Sequence, residues 1–132
     1  MAVRQIVVMG DPILRTATAE VDAFDRDLKM LVRDLFETMY HAEGIGLAAP
    51  QIGISRRVIV IDLRSEEQPE ARLALINPSV VWASAESDKE PEGCLSIPGL
   101  EEVIKRSLAI RVEAVDIEGG HMELEAEGLF AR

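Results

Sequence analysis

The sequence predicts an α+β domain in which one N-terminal amphipathic helix packs against antiparallel or mixed β-sheets. Two patterns predict this class. One early stretch has apolar residues at helical spacing, and most of the later chain forms short β-branched or alternating runs between turn residues. A length of 132 residues with 48% hydrophobic residues suits one domain with one core. We therefore expect residues 1–132 to form a single domain.

An apolar stripe predicts the helix. After Asp25 the apolar residues follow one another at intervals of three and one, which places them on one helical face. They are Leu28, Leu31, Val32, Leu35, Phe36, Met39 and Tyr40. This helix is predicted to end near Gly44. Upstream, Ile6 to Met9 predicts a strand or an extended lead-in, which the turn Gly10-Asp11-Pro12 ends.

The remaining elements are predicted to be strands and loops. Arg57 to Leu63 is β-branched and predicts a buried strand. Residues 106–117 and 122–126 alternate around a Gly119-Gly120 turn, which predicts a hairpin. Two short strands, 73–76 and 79–82, are predicted on either side of Asn77-Pro78. The charged segments 65–70 and 84–92 are predicted to be loops or turns.

Charge and cysteine content restrict the partners and the compartment. Lys and Arg total 14 against 24 Asp and Glu, for a net charge of −10. An acidic surface repels phosphate backbones and anionic membranes, so free nucleic acid and membranes are unfavourable partners. The start of the sequence has no long apolar region, so we expect no signal peptide, and no stretch of the 132 residues is long enough to span a bilayer. The single cysteine, Cys94, favours a reducing compartment. We expect a soluble cytoplasmic protein.

The first segment with chemical potential is Gly44–Gln51, which reads GIGLAAPQ. Its glycines also fit the dinucleotide-binding pattern GxGxxA. That pattern must follow a strand and open a helix, whereas here it follows the predicted helix and contains Pro50, so we reject it. A helix cap with a loop of small residues is the simpler interpretation. Gln51 adds a neutral amide beside a backbone that the glycines leave accessible. Such an amide can hydrogen-bond a carbonyl oxygen that gains negative charge.

The second segment is Glu92–Pro98, which surrounds Cys94. A lone cysteine is more often a small buried apolar residue than a ligand or nucleophile. Gly93 lets the backbone approach a ligand closely, and Pro98 stiffens the exit from the segment. Spacing alone leaves both interpretations of Cys94 open, the metal thiolate and the buried thiol.

These two segments resemble the peptide deformylase family. Gly44–Gln51 matches the family motif GxGxAAxQ, and Glu92–Ser96 matches the motif EGCLS. The turn from Gly10 to Arg15 also resembles the family's opening, so the resemblance covers essentially the whole chain. It implies metal-dependent hydrolysis of the N-formyl group from the initiator methionine of new proteins. The implied partners are N-formyl-methionyl peptides of nascent chains and, transiently, the ribosome.

The resemblance also implies a role for each site residue. Cys94 corresponds to the thiolate ligand of one divalent metal, usually Fe²⁺, with Zn²⁺, Ni²⁺ or Co²⁺ as alternatives. Gln51 and the backbone N–H of Leu95 correspond to the donors that hydrogen-bond the formyl oxygen. The resemblance places the pocket for the methionine side chain at Ile45, Gly46 and Leu129. It places Gly93 beside the path of the substrate and gives Glu92 a supporting role there.

One family motif is absent from the sequence. HExxH places two histidine ligands and a glutamate general base on one helical face. No HExxH occurs in the 132 residues, which end at Arg132 where the family's central helix begins. We therefore expect a C-terminally truncated member of the family that lacks this helix and is inactive as it stands.

Two other functions remain open. The chain could be a non-catalytic relative that binds peptide N-termini or a partner protein through the same loops. It could also be a metal-free cysteine hydrolase that uses Cys94 with His41 or His121. Nothing in the sequence places either histidine near Cys94, which makes the third function the least favoured.

Overall fold

The computed structural model describes residues 3–8, 11–15, 18–63, 73–94 and 96–127, and of residues 15, 88–94 and 97–105 it describes the backbone alone. In this part of the chain one α-helix and seven strands form an α+β fold, as predicted. The helix, α1, spans Arg26–His41, and a short 3₁₀ helix, Pro12–Arg15, precedes it. No helix in the described ranges is long and apolar enough to cross a membrane.

Within the described residues the named strands pair antiparallel, and an isolated parallel bridge joins Ala19 and Arg56 outside them. The strands are β1 (Gly46–Ala48), β2 (Val58–Ile61), β3 (Leu73–Ala83), β4 (Ser87–Cys94), β5 (Ile97–Ser107), β6 (Ala109–Val115) and β7 (His121–Glu127). A five-stranded sheet has the order β1-β2-β3-β6-β7, and β4 and β5 form a separate two-stranded sheet. The chain therefore leaves the larger sheet after β3, forms a long hairpin, and returns at β6.

Helix α1 begins and ends with specific hydrogen bonds. Asp25 is the N-cap, and its side chain accepts from the backbone N–H of Leu28 at 3.1 Å. At the other end Gly44 N–H donates to the Met39 carbonyl at 2.9 Å, and Glu43 N–H donates to that of Tyr40 at 3.1 Å. These two bonds form a Schellman motif. Its left-handed residue is Glu43, with φ 58°, and the motif closes at Gly44, near which the sequence predicted the end of the helix.

The core lies between α1 and one face of the larger sheet. The predicted apolar stripe is buried: Leu28, Leu35 and Met39 are fully inaccessible, and the stripe packs on residues of β1, β2 and β3. The opposite face of the sheet carries a second apolar cluster around Leu75, Val112 and Ala114. It forms a groove of about 290 Å³ lined by Ile59, Ile61, Leu75, Pro78, Ser79, Val80, Ile110, Val112, Leu124 and Ala126.

The prediction of two short strands around Asn77-Pro78 was wrong, because β3 runs continuously from Leu73 to Ala83. Asn77 has φ 53°, and the pairing with β6 shifts between Ile76 and Ser79. The Asn77 amide accepts from Val21 N–H at 2.8 Å and donates to the Val21 carbonyl at 2.9 Å. These bonds hold an irregularity inside one strand, where the sequence indicated a break.

The charged segment 84–92 was also wrongly predicted as a turn. Most of it lies in β4, which pairs with β5 from Ser87↔Ser107 to Glu92↔Glu102. The single strand predicted over 106–117 is the end of β5 followed by β6, with Leu108 between them. Cross-strand pairing thus overrides the low strand propensity of the charged residues. The predicted buried strand (β2) and the β6–β7 hairpin are confirmed, and the predicted loop 65–70 lies outside the described residues.

Candidate active site

The first motif segment ends in a 3₁₀ turn, Ala49–Ile52, that is anchored in the core. Pro50 is the second residue of this turn, and Ala49 and Ile52 are 0% and 7% exposed. Gly53 ends it in the left-handed conformation, with φ 83°, and its N–H donates to the Pro50 carbonyl at 3.0 Å. The buried residues Ala49 and Ile52 and the left-handed Gly53 therefore fix the backbone on both sides of Gln51.

Gln51 is held by hydrogen bonds that its side chain makes with Ala48 and Ser96 and its backbone makes with Val7. The backbone N–H of Ala48 donates to Oε1 at 2.9 Å, which is one half of a capping box around the 3₁₀ turn. The side-chain nitrogen Nε2 donates to the Ser96 hydroxyl at 3.1 Å. The Gln51 carbonyl accepts from Val7 N–H at 2.8 Å, in the predicted extended lead-in.

The Ala48 contact decides the orientation of the amide. A backbone N–H can donate and cannot accept, so the Gln51 atom that faces Ala48 must be the oxygen. The NH₂ group consequently points to the other side, toward Ser96. A side chain that presents donors there can hydrogen-bond a carbonyl oxygen, whereas the opposite orientation could not.

The second motif segment forms the end of the β4–β5 hairpin. Its backbone pairs Glu92 with Glu102 and Gly93 with Glu101, and after a register shift Cys94 pairs with Ile97. Ser96 lies between these paired residues and is 4% exposed. The side chains of Glu92, Gly93 and Cys94 are outside the described part, as is all of Leu95.

The contact between Gln51 and Ser96 brings the two motifs together. The residues are 45 positions apart in sequence, and Ser96 is the second residue after Cys94. The fold therefore places the Gln51 amide beside the tip of the hairpin that carries Cys94. Sequence reasoning gave Ser96 no role of its own, although it is the last residue of the EGCLS match. The signal that would have identified it is burial, which the sequence does not show.

Ile45 and Gly46 lie on the exposed side of the first segment. Ile45 is 41% exposed, and Gly46 opens β1 opposite Ile61. The Ile45 carbonyl accepts from Asp62 N–H at 2.9 Å, and the Asp62 carboxylate accepts from the Tyr40 hydroxyl at 2.5 Å. These bonds tie the exposed loop to α1 and to the end of β2. Leu129, also predicted to line the site, lies outside the described residues.

Neither histidine belongs to the first motif segment. His41 is the last residue of α1 and is exposed, and His121 opens β7. His121 lies with Glu113 and Glu123 on the β6–β7 hairpin, where one ligand atom from each comes within 4.8 Å of the others. Sequence reasoning missed this group, although strand alternation and the Glu113↔Glu123 pairing place it on one face. It belongs to the larger sheet, apart from the hairpin that carries Cys94.

Comparison with known proteins identifies the family. The polypeptide deformylase family model matches residues 3–132. The chain belongs to this family. The peptide deformylase of Rhizobium meliloti is 44% identical to it over 131 residues, an alignment that covers 99% of the chain and 75% of that protein. These matches make the chain an enzyme of the hydrolase class by family.

Solved deformylases share the fold. The crystal structure from Thermotoga maritima has a TM-score of 0.93 and 40% identity, covering 100% of this chain and 86% of that one. The Synechococcus elongatus enzyme in complex with actinonin has a TM-score of 0.89 and 41% identity, covering 96% of this chain and 67% of that one. The relation therefore extends along essentially all of the 132 residues.

The deformylase family is metal-dependent, so the donor set must be tested against a metal. A catalytic site needs about three protein ligands and an open position. The resemblance predicts Cys94 as one ligand, and the sequence contains no HExxH to supply the other ligands that the resemblance implies. The 132 residues therefore do not by themselves make up the family's metal site.

Proposed function

We propose that this chain forms the carbonyl-binding side of a deformylase site. In this proposal Gln51 Nε2 and the backbone N–H of Leu95 donate to the formyl oxygen of an N-formyl-methionyl peptide. The observation that carries it is the position of the Gln51 amide, whose oxygen is engaged by Ala48 and whose nitrogen faces the Cys94 hairpin at Ser96. A donor is needed there because the carbonyl oxygen becomes negative when the formyl carbon is attacked.

The Gln51 turn fits this task because its geometry is fixed before substrate arrives. Donors that are already in place stabilise a developing charge without reorganising during the reaction. Ala49 and Ile52 are buried on either side, and the backbone of Gln51 itself is held by Val7. A loop that depended on substrate for its shape would lose part of this stabilisation.

The exposed residues near Gln51 suit a pocket for the methionine side chain. Ile45 offers apolar surface at 41% exposure, and Gly46 leaves room beside the backbone. We assign Leu129 to the same pocket, and Gly93 and Glu92 to the substrate path along β4. Burial of a methionine side chain against such surface contributes about 1.5–3 kcal/mol when complete.

Cys94 is the proposed metal ligand from this chain, with Fe²⁺ as the first choice and Zn²⁺, Ni²⁺ or Co²⁺ as alternatives. Thiolates bind transition metals of this kind more readily than they bind Mg²⁺ or Ca²⁺. The other two ligands and the general base of the family come from HExxH, which these 132 residues lack. We therefore propose that the 132-residue chain alone does not deformylate peptides.

The proposed setting follows from the substrate. Residues 1–132 act as one domain on nascent chains in the cytoplasm, where the single cysteine stays reduced and the ribosome presents formylated N-termini. A second candidate, a non-catalytic binder of peptide N-termini, is favoured by the Gln51–Ser96 contact, which these residues make without HExxH.

A comparison of two proteins tests the proposal. One is the 132-residue chain, and the other is residues 1–127 fused to the C-terminal segment of a relative that carries HExxH. Both are loaded with Fe²⁺ or Ni²⁺ and assayed on a formyl-methionyl peptide beside a metal-only control. We expect turnover from the fusion alone.

Two results would contradict this. Turnover by the 132-residue chain above the metal control would show that HExxH is not needed. A folded, metal-loaded fusion without activity, which still binds the peptide, would favour the non-catalytic binder. In the active fusion, Cys94→Ala is expected to abolish stoichiometric metal retention, and metal analysis of the purified variant measures it.

A further inference from the structure

We infer that Ser96 is a positioning residue that fixes the direction in which the Gln51 amide donates. The inference rests on the proposed function, because the direction matters only if the amide meets a carbonyl. The evidence is a buried hydroxyl, 4% exposed, that accepts from Gln51 Nε2 at 3.1 Å from the tip of a different sheet.

The geometry of a carboxamide makes this contact decisive. The group is planar, with two N–H bonds in fixed directions on one nitrogen. The Ala48 N–H holds the oxygen at 2.9 Å, and the Ser96 hydroxyl holds the nitrogen at 3.1 Å. Contacts at both ends of the group together fix the plane of the amide. With one N–H directed at Ser96, the direction of the other N–H is determined as well.

The location of Ser96 explains why no other group easily replaces it. Ser96 follows Leu95 and Cys94 directly, so its hydroxyl moves with the backbone that carries the proposed second donor and the proposed metal ligand. The contact therefore couples the Gln51 donor to the segment with which it must act. Burial limits the access of water, which could otherwise accept from the amide in its place.

The competing interpretation is that Ser96 only packs the hairpin tip. Removal of its hydroxyl would then change stability and leave the Gln51 amide in place. A spectroscopic signature of the amide itself separates the two, because the chemical shifts of its two N–H protons depend on their hydrogen-bond partners. When the side chain is no longer held, both shifts move toward the values of a solvent-exposed glutamine.

Nuclear magnetic resonance on the ¹⁵N-labelled 132-residue chain provides the test. Ser96→Ala and Ser96→Cys remove or weaken the acceptor, and Ser96→Thr keeps a hydroxyl. Ser84→Ala is the control, because the Ser84 hydroxyl contacts Glu86 and Ala109 and belongs to another loop. We expect the Gln51 side-chain signals to shift toward solvent values in the Ala and Cys variants and to stay unchanged in the Thr and control variants.

A titration with a formyl-methionyl peptide then separates this inference from the proposed function. Ser96→Ala is expected to leave the affinity for the peptide little changed and, in the active fusion, to lower kcat about 2- to 10-fold, as for the weakening of one transition-state hydrogen bond. Unchanged Gln51 signals in both Ala and Cys variants, or equal changes in Ala, Cys and Thr, would overturn the positioning role. If the signals move as expected but the parent chain does not respond to peptide, positioning stands and the carbonyl-binding function fails.

Discussion

The two motif segments of the site are supported in different ways. Gly44–Gln51 leads from the end of α1 through β1, the edge strand of the five-stranded sheet, with Leu47 and Ala49 buried in the main core. Glu92–Ser96 lies at the end of a two-stranded sheet, whose strands pair with each other. An isolated hairpin is marginally stable in water. The first segment therefore takes its geometry from the core, whereas the second is aligned with it at the Gln51–Ser96 contact.

Deletion of core volume under the first segment is expected to have the largest effect. Met39 is fully buried in the core that anchors this segment, and its carbonyl accepts from Gly44 N–H. Met39→Ala should lower the free energy of unfolding by about 2–5 kcal/mol. Met30, on the same helix, is 45% exposed, so Met30→Ala should change it by less than about 0.5 kcal/mol. Urea unfolding of both variants measures this, and equal losses would show that the helix face is misassigned.

Hydrogen exchange compares the two supports directly. The amides of β2 lie between two paired strands, whereas those of β4 pair on one side with β5. We expect β4 amides to exchange at least about tenfold faster than those of β2, because the hairpin opens without global unfolding. Equal protection of the two strands would mean that the hairpin and the larger sheet unfold as one unit.

A smaller effect is expected from the turn that carries Gln51. An added Cβ at Gly53 meets no atom within 4 Å, but the residue has φ 83°. Gly53→Ala should therefore cost about 1 kcal/mol through backbone conformation alone. Gly46→Ala is the matched control, since its Cβ would make an ordinary contact of 3.7 Å with the Val60 carbonyl and no positive φ is involved. Thermal melting that shows the same loss for both would argue against the left-handed turn.

The same contrast explains which features could be predicted from sequence. The stripe from Leu28 to Tyr40 and the run in β2 were readable because their burial follows one period. The strand β4 was missed because its charged residues are held by pairing with β5, which no local pattern reveals. The continuity of β3 through Asn77 could not be predicted, because the bonds that hold Asn77 to Val21 span 56 positions.

The site shows the same division. The residues of the two motifs were named from the family resemblance, since Gln51 and Cys94 had ordinary structural interpretations on spacing alone. The direction of the Gln51 amide and the contact with Ser96 depend on three segments meeting, at Ala48, Val7 and the hairpin tip. The periodic pattern of apolar residues does not reveal contacts between segments that are far apart in the sequence.

The central claim is that the two ends of the Gln51 amide have different tasks, the oxygen capping Ala48 and the nitrogen donating to the substrate carbonyl. Gln51→Glu in the active fusion separates them, because a carboxylate still accepts from Ala48 N–H but has no N–H to donate. Steady-state kinetics beside a melting curve makes the measurement. We expect kcat to fall by about 10²–10³-fold or more, since an oxyanion donor acts mainly in the transition state, while KM and the melting temperature change little. A near-normal kcat, or a loss confined to KM and stability, would contradict the account.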